Sequence, residues 1–313
     1  MNVLVTGGAG FIGSNLCERL LAEKHRVVCI DNFDNYYSPE IKRKNISGFS
    51  DGFVFYEADI RDTAALAGIF EKEKIDVVVH LAGKVGVRAS LSIPKEYVEV
   101  NVVGTLNLLE LSKEFKVKKF VFGSSSSVYG NNLKVPFSER DSADCPISTY
   151  AATKRAAELL CRAYHRLHGL PVVCFRFFTV YGPRGRPDMA IYKFTKLISE
   201  GRPVDRYGDG TSKRDYTFVS DVVDGITASL KKDFGFEIIN LGDSNVVELN
   251  YLISLIENAV GKKAVISQKQ LQPGDVDITY ADISKAGKLL GYSPKVKIEE
   301  GIKKFVMWYK NER

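Results

Sequence analysis

Short apolar runs rich in β-branched and aromatic residues recur along the chain at 3–6, 26–30, 53–56, 76–81, 119–124, 172–177 and 236–241, and each predicts a buried strand. Between most of them, apolar positions repeat at the helical spacing, as Leu16, Leu20 and Leu21 do after the first run. Strands separated by helix-length segments imply right-handed crossovers and a parallel sheet covered on both faces. The expected fold is α/β: a doubly wound parallel sheet of about seven strands.

The regular alternation stops near residue 180. Gly182-Pro183-Arg184-Gly185-Arg186-Pro187, Gly201-Arg202-Pro203 and Gly208-Asp209-Gly210 punctuate the chain there, which predicts a smaller C-terminal lobe over 180–313 with helices at 190–199, 246–260, 283–290 and 298–309. The first domain then spans 1–179, with 215–242 returning to it. A longer helical pattern runs from 148 to 168, and another from 101 to 115.

Composition narrows the class. Of 313 residues 45% are hydrophobic and 26% charged, and the net charge of +6 is scattered, with no basic block of the kind that grips nucleic acid. A mild positive excess suits an anionic small ligand. Five cysteines, at 17, 29, 145, 161 and 174, are odd in number and never form C-x-x-C, which predicts buried thiols in a reducing compartment. No apolar run approaches the roughly 20 residues of a membrane span, and the start at Met1-Asn2-Val3 lacks a signal-peptide pattern, so a cytoplasmic location is expected. His165 and His168 end a helix without carboxylate or thiol company, so no metal site is expected.

Between the first strand and the first helix lies Gly7-Gly8-Ala9-Gly10-Phe11-Ile12-Gly13, an arrangement that lays a pyrophosphate on a helix N-terminus. Asp31 closes the second strand, where a carboxylate accepts ribose hydroxyls and repels a 2′-phosphate, favouring NAD over NADP. Ligands of such sheets bind outside the carboxyl ends of the strands. Those ends carry Asn32, Asp59-Ile60, Leu81-Ala82-Gly83, Ser124 and Phe177, and with Gly7, Gly10, Phe11, Ile12, Gly13 and Asp31 they form the predicted cofactor site. Tyr150 and Lys154 are one helical turn apart on one face. An ammonium beside a phenol favours the phenolate, a general base, and Ser125 ends a neighbouring strand. Serine, tyrosine and lysine around NAD form a hydride-transfer constellation.

These motifs, together with His80-Leu81-Ala82, Asn101-Val102-Val103-Gly104-Thr105, Ser125-Ser126-Ser127-Val128-Tyr129-Gly130, Arg214-Asp215-Tyr216 and Pro273-Gly274-Asp275-Val276, resemble the nucleotide-sugar branch of the extended short-chain dehydrogenase/reductases over essentially the whole chain. The resemblance implies that Asn101 helps order the site, that Arg214 reaches the UDP phosphates and that Asp275 holds the uridine ribose. It also implies a tightly bound NAD that is not consumed, and a homodimer paired through the 148–168 and 101–115 helices. On the first of these, Ala152, Ala156, Leu159, Leu160, Ala163 and Leu167 form an apolar stripe.

Dehydratases and decarboxylating enzymes of this branch carry a carboxylate in the serine loop, where this chain has Ser125, Ser126 and Ser127. Such a loop supports oxidation and re-reduction at C4, which is epimerisation. The segment 176–190, with Thr179, Arg186 and Met189, is similar to the UDP-glucuronate 4-epimerase pattern, although Lys84-Val85 and Arg184 depart from it. The implied reaction interconverts UDP-glucuronate and UDP-galacturonate without loss of CO₂. Ser126, Ser127 and Thr179 would fix the carboxylate pose, with Arg88 or Arg186 as charge partner. Epimerisation of UDP-glucose or UDP-N-acetylglucosamine remains the alternative within enzymes, and a nucleotide-sugar or NAD sensor the alternative outside them.

Overall fold

The computed structural model describes residues 1–270 and 278–312. In chain order its strands are β1 (Asn2–Thr6), β2 (Arg26–Asp31), β3 (Phe53–Glu57), β4 (Val77–His80), β5 (Lys119–Ser125), β6 (Val172–Phe177), β7 (Thr179–Tyr181), β8 (Pro203–Tyr207), β9 (Lys213–Phe218), β10 (Phe236–Leu241), β11 (Val246–Glu248) and β12 (Val265–Lys269). Seven of them make one all-parallel sheet in the order β10-β6-β5-β4-β1-β2-β3, and these are the seven predicted apolar runs. The order reverses between β4 and β1, which opens a crevice at their carboxyl ends.

Alternation along each strand divides the core. Val3, Val5, Val27, Val77, Val79, Val121 and Val173 face one side and pack with helix Phe11–Ala22 and helix Val219–Leu230. Leu4, Val28, Ile30, Val78, Phe120, Phe122 and Val172 face the other, against helices Thr63–Glu73, Gly104–Glu114 and Thr149–His168. Both faces are thus covered, as parallel sheets require.

Two predicted helices are corrected at their starts. Residues 246–248 pair with β9 as β11, and the helix follows as Leu249–Val260. The 101–115 pattern begins as a π-helical turn, Glu99–Val103, that continues into Gly104–Glu114; such single π turns concentrate at functional sites. Beyond residue 180 the chain also builds a three-stranded sheet, β11-β9-β7, and a two-stranded one, β12-β8, neither of which periodicity foretold. Helix Thr149–His168 is capped as its sequence requires: the Ser148 hydroxyl accepts from the Ala151 N–H at 3.2 Å, and Gly169 takes the left-handed conformation at φ 70°.

Candidate active site

A cavity of about 400 Å³ lies at the carboxyl ends of β1, β2, β4, β5 and β6. The glycine turn forms its floor. Gly7 sits at φ +69° with Ala82 so close that a Cβ would come within 2.7 Å of its nitrogen, and a Cβ on Gly13 would meet the Gly7 carbonyl at 2.2 Å. Only hydrogen fits at either position, so strand, turn and helix close tightly and leave the backbone bare towards the cavity. Asp31 lines the same cavity, its oxygens accepting from the Ala9 N–H at 3.2 Å and the Phe33 N–H at 2.9 Å. Burial raises its carboxyl above the ordinary value, a rise that the nearby Lys42 ammonium and those two N–H groups offset only in part. A floor without side chains beside a fixed carboxylate fits a dinucleotide with a free ribose 2′-hydroxyl.

Tyr150, Ser125 and Lys154 all line this cavity. The register that ends β5 opposite Phe177 puts Ser125 at the rim beside Tyr150, where its hydroxyl donates to Ser127 Oγ at 3.2 Å and accepts from the Ser127 N–H at 3.2 Å. Burial raises the Tyr150 phenol above its ordinary value, while Ser125 and the charge of Arg186 act against that rise. The positive charge that acts on the phenol here is that of Arg186, which lines the same cavity. Lys154, 4% exposed, donates instead to the Gly123 carbonyl at 2.8 Å and lies over the Phe122 ring, and burial pulls it down to about 8.

A buried network sets these positions. Asn101, on the π turn, accepts from the Lys84 N–H at 2.7 Å and donates to the Lys84 carbonyl and the Thr153 hydroxyl, each at 3.0 Å. It ties the end of β4 to the helix that carries Tyr150. His80, opposite Thr6 in the register, bonds Thr6 Oγ1 through Nδ1 at 2.7 Å and Thr105 Oγ1 through Nε2 at 3.0 Å. Thr105 spends its proton on the Asn101 carbonyl at 2.6 Å, so Nε2 donates and Nδ1 accepts. Burial, and then the Lys154 charge, hold His80 down near 3, a neutral imidazole. Ser124 also lines the cavity, but its hydroxyl donates to Glu158 Oε1 at 2.6 Å, and Glu158 pairs in both oxygens with Arg176 at 2.9 and 2.8 Å.

On the far side stand Ser126, Ser127, Phe177, Thr179, Met189 and Arg186, and Phe11, Ile12, Gly10, Asn32, Ile60, Leu81 and Gly83 complete the predicted lining. Arg186 forms a bidentate pair with Asp188. Other predicted residues stand apart. Asp59 is engaged by Arg61 and Asn32, whose hydrogen bonds hold it down near 2, and is not part of the lining. Asn101 acts from behind the wall. Arg88 is exposed on the short helix Val87–Ser92 over the Tyr207 ring, and Arg214 lies on β9 donating to the Lys213 carbonyl. Asp275 lies outside the described residues. Sequence reasoning missed Asp34, Tyr36, Tyr37 and Lys84, which line the cavity from loops, and Lys42, which lines it from the short helix Pro39–Ile46. Lys84 bridges Asp34 at 2.9 Å and Glu96 at 2.8 Å. The departure at Lys84 was the only signal, since loop residues carry no periodicity.

The GDP-mannose 4,6 dehydratase family model matches residues 4–305. The chain belongs to that family. Among its relatives is the UDP-glucuronate 4-epimerase of Thermodesulfobacterium geofontis, 49% identical over 310 residues that cover 98% of this chain and 95% of that one. The UDP-glucuronic acid 4-epimerase of Bacillus cereus, solved in complex with UDP-glucuronic acid and NAD, superposes with a TM-score of 0.95 at 40% identity over 100% of both chains. The UDP-glucose 4-epimerase of Thermotoga maritima, solved with UDP-glucose, gives 0.93 at 34% identity over 100% of this chain and 99% of that one. In this family, then, the chain shares its whole length with 4-epimerases of two sugar types.

Proposed function

We propose that the chain is an NAD-dependent isomerase that interconverts UDP-glucuronate and UDP-galacturonate by epimerisation at C4. The observation that carries this is the loop beside Tyr150: it presents Ser125, Ser126 and Ser127, and no carboxylate that could move a C5 proton or protonate a leaving hydroxyl. The relatives named UDP-glucuronate 4-epimerase support the choice of sugar.

The glycine turn, Asp31 and the ends of β4 and β5 would hold NAD, whose nicotinamide supplies a reversible hydride acceptor for C4. Tyr150 takes the proton of the sugar 4-hydroxyl and later returns it, with Ser125 sharing the hydrogen bond. Lys154, anchored on Gly123, keeps a positive charge within this dry pocket. The 4-keto sugar must turn over between the two half-reactions, so the nucleotide takes the firm contacts, including Arg214, and the sugar the looser ones. Because a 4-keto uronate is a β-keto acid, Ser126, Ser127 and Thr179 fix its carboxylate away from the alignment that expels CO₂, and Arg186 is its charge partner. Incubation of purified enzyme with UDP-glucuronate, followed by NMR, should yield UDP-galacturonate; UDP-xylose or a 4-keto pentose in its place would refute the proposal.

We further infer a homodimer in the cytoplasm. Leu159 and Leu167 are 51% and 75% exposed and share a stripe with Ala152 and Ala163 on helix Thr149–His168. Val103 adds a 44% exposed apolar side chain on the adjoining π turn. An apolar face of this kind fits a second copy, and sedimentation of Leu159→Asp against the parent tests it. Four of the five thiols are buried and unpaired, in keeping with a reducing compartment. No helix among the described residues is long and apolar enough to cross a membrane.

A further inference from the structure

A guanidinium has two hydrogen-bonding edges, and Arg186 has one of them occupied. Its Nε donates to Asp188 Oδ1 at 2.9 Å and its Nη2 to Asp188 Oδ2 at 2.6 Å. The carboxylate is itself held in turn, since Asp188 Oδ2 accepts from the Tyr36 hydroxyl at 3.3 Å. The Tyr36 ring also lies under the guanidinium, 5.6 Å from ring centre to Cζ. Among the described residues Nη1 has no hydrogen-bond partner, on a side chain that lines the cavity.

We propose that Asp188 is a positioning residue that sets the preference for a sugar bearing a carboxylate: by holding the Nε–Nη2 edge of Arg186, it presents the Nη1 edge to that carboxylate. The proposal rests on the UDP-glucuronate assignment above. An unrestrained arginine would have to give up rotamer freedom on binding, whereas this one is ordered beforehand by Asp188 and Tyr36. Charge is balanced as well. The Arg186–Asp188 pair is neutral, so the carboxylate is held by directed hydrogen bonds at one edge, and approaches from the Asp188 side are repelled. Such a grip is specific and still releases the sugar when it turns. A neutral hexose, with a hydroxymethyl group in place of the carboxylate, gains little from it.

The test compares kcat/KM for UDP-glucuronate and for UDP-glucose in the NAD-loaded parent, Asp188→Ala and Asp188→Asn. Both substrates share the UDP and the chemistry, so a general folding or catalytic defect lowers both together, while a positioning defect changes their ratio. Asp188→Ala should lower the glucuronate-to-glucose ratio by about tenfold or more, the scale of one charge-assisted hydrogen bond. Asp188→Asn, which keeps one acceptor oxygen and nearly the same shape, should lose less, and it decides the matter if the alanine variant does not fold. A ratio that stays within about twofold of the parent in the folded variants, or that rises because Asp188 was competing with substrate, overturns the inference and leaves the epimerase assignment standing. A parent enzyme that epimerises UDP-glucose but not UDP-glucuronate overturns both.

Discussion

Lys154 Nζ donates to the carbonyl of Gly123 at 2.8 Å, so the helix that carries Tyr150 is tied through its lysine to the strand that ends in Ser125. Burial holds this ammonium near 8. A lysine that loses its proton there ceases to supply charge to the pocket as pH rises, so kcat/KM should fall on the alkaline side with a limb near pH 8. Rate measurements from pH 6 to 10 check this; a profile flat to pH 9.5 would exclude Lys154 as a charge that catalysis needs.

Tyr150→Phe should lower turnover by on the order of 10³-fold, within the range for loss of one general acid–base group. The phenyl ring keeps the packing against Tyr97, whose ring centre is 6.3 Å away. Retained NAD and an unchanged melting temperature would separate lost chemistry from lost structure. Equal activity would point to another base.

Asp31 is held by two backbone N–H groups and lies near the Lys42 ammonium. In Asp31→Ala the repulsion of a 2′-phosphate disappears and Lys42 remains. The ratio of NAD to NADP affinity should therefore fall by about tenfold or more. Equilibrium binding of the two dinucleotides to cofactor-stripped enzyme measures it.

Away from the site, Lys119 is 6% exposed and its ammonium donates to the carbonyls of Ser229 at 2.8 Å and Leu230 at 3.2 Å, with Lys232 as a third acceptor. It closes the C-terminal end of helix Val219–Leu230, where free carbonyls and the helix dipole favour a cation. Lys119→Met removes this shared donor, although the Ser229 carbonyl keeps the Lys232 N–H at 3.3 Å, and should cost about 1–3 kcal/mol in denaturant unfolding. kcat should not change.

Stability should also depend on pH through Asp243, whose carboxyl is pushed up to about 7 by burial and by Asp215, Asp221 and Glu299. In the unfolded chain it titrates near the ordinary aspartate value of 3.8. Between those values the folded chain holds a proton that the unfolded chain has released, so stability falls as pH rises through this window. Asp215, raised to about 6 by burial, acts in the same direction. The melting temperature should be higher at pH 5 than at pH 8, and Asp243→Asn should flatten the difference.

The seven-stranded sheet was legible because its inner strands are buried on both faces and its half-buried edge strands β3 and β10 still read as continuous apolar runs. The glycine turn and the Asp31 position followed from local geometry, and Ser125, Tyr150 and Lys154 from their places at a strand end and a helix start. The small sheets after residue 180 were not legible: β7 and β11 are three residues each, too short for any period to show. Nor could spacing reveal which cation faces Tyr150. Helical periodicity puts Lys154 on the same face as the phenol, but the Gly123 carbonyl, brought from another strand, claims its proton. Arg186, 36 residues beyond Tyr150, enters the cavity from the segment after β7 and is held there by Asp188, which in turn accepts from Tyr36. Local sequence thus determined the scaffold and the identity of the proposed reacting groups. Their partners and charge states come from segments far apart in the chain, and only the tertiary fold decides which of these meet and how much water is left between them.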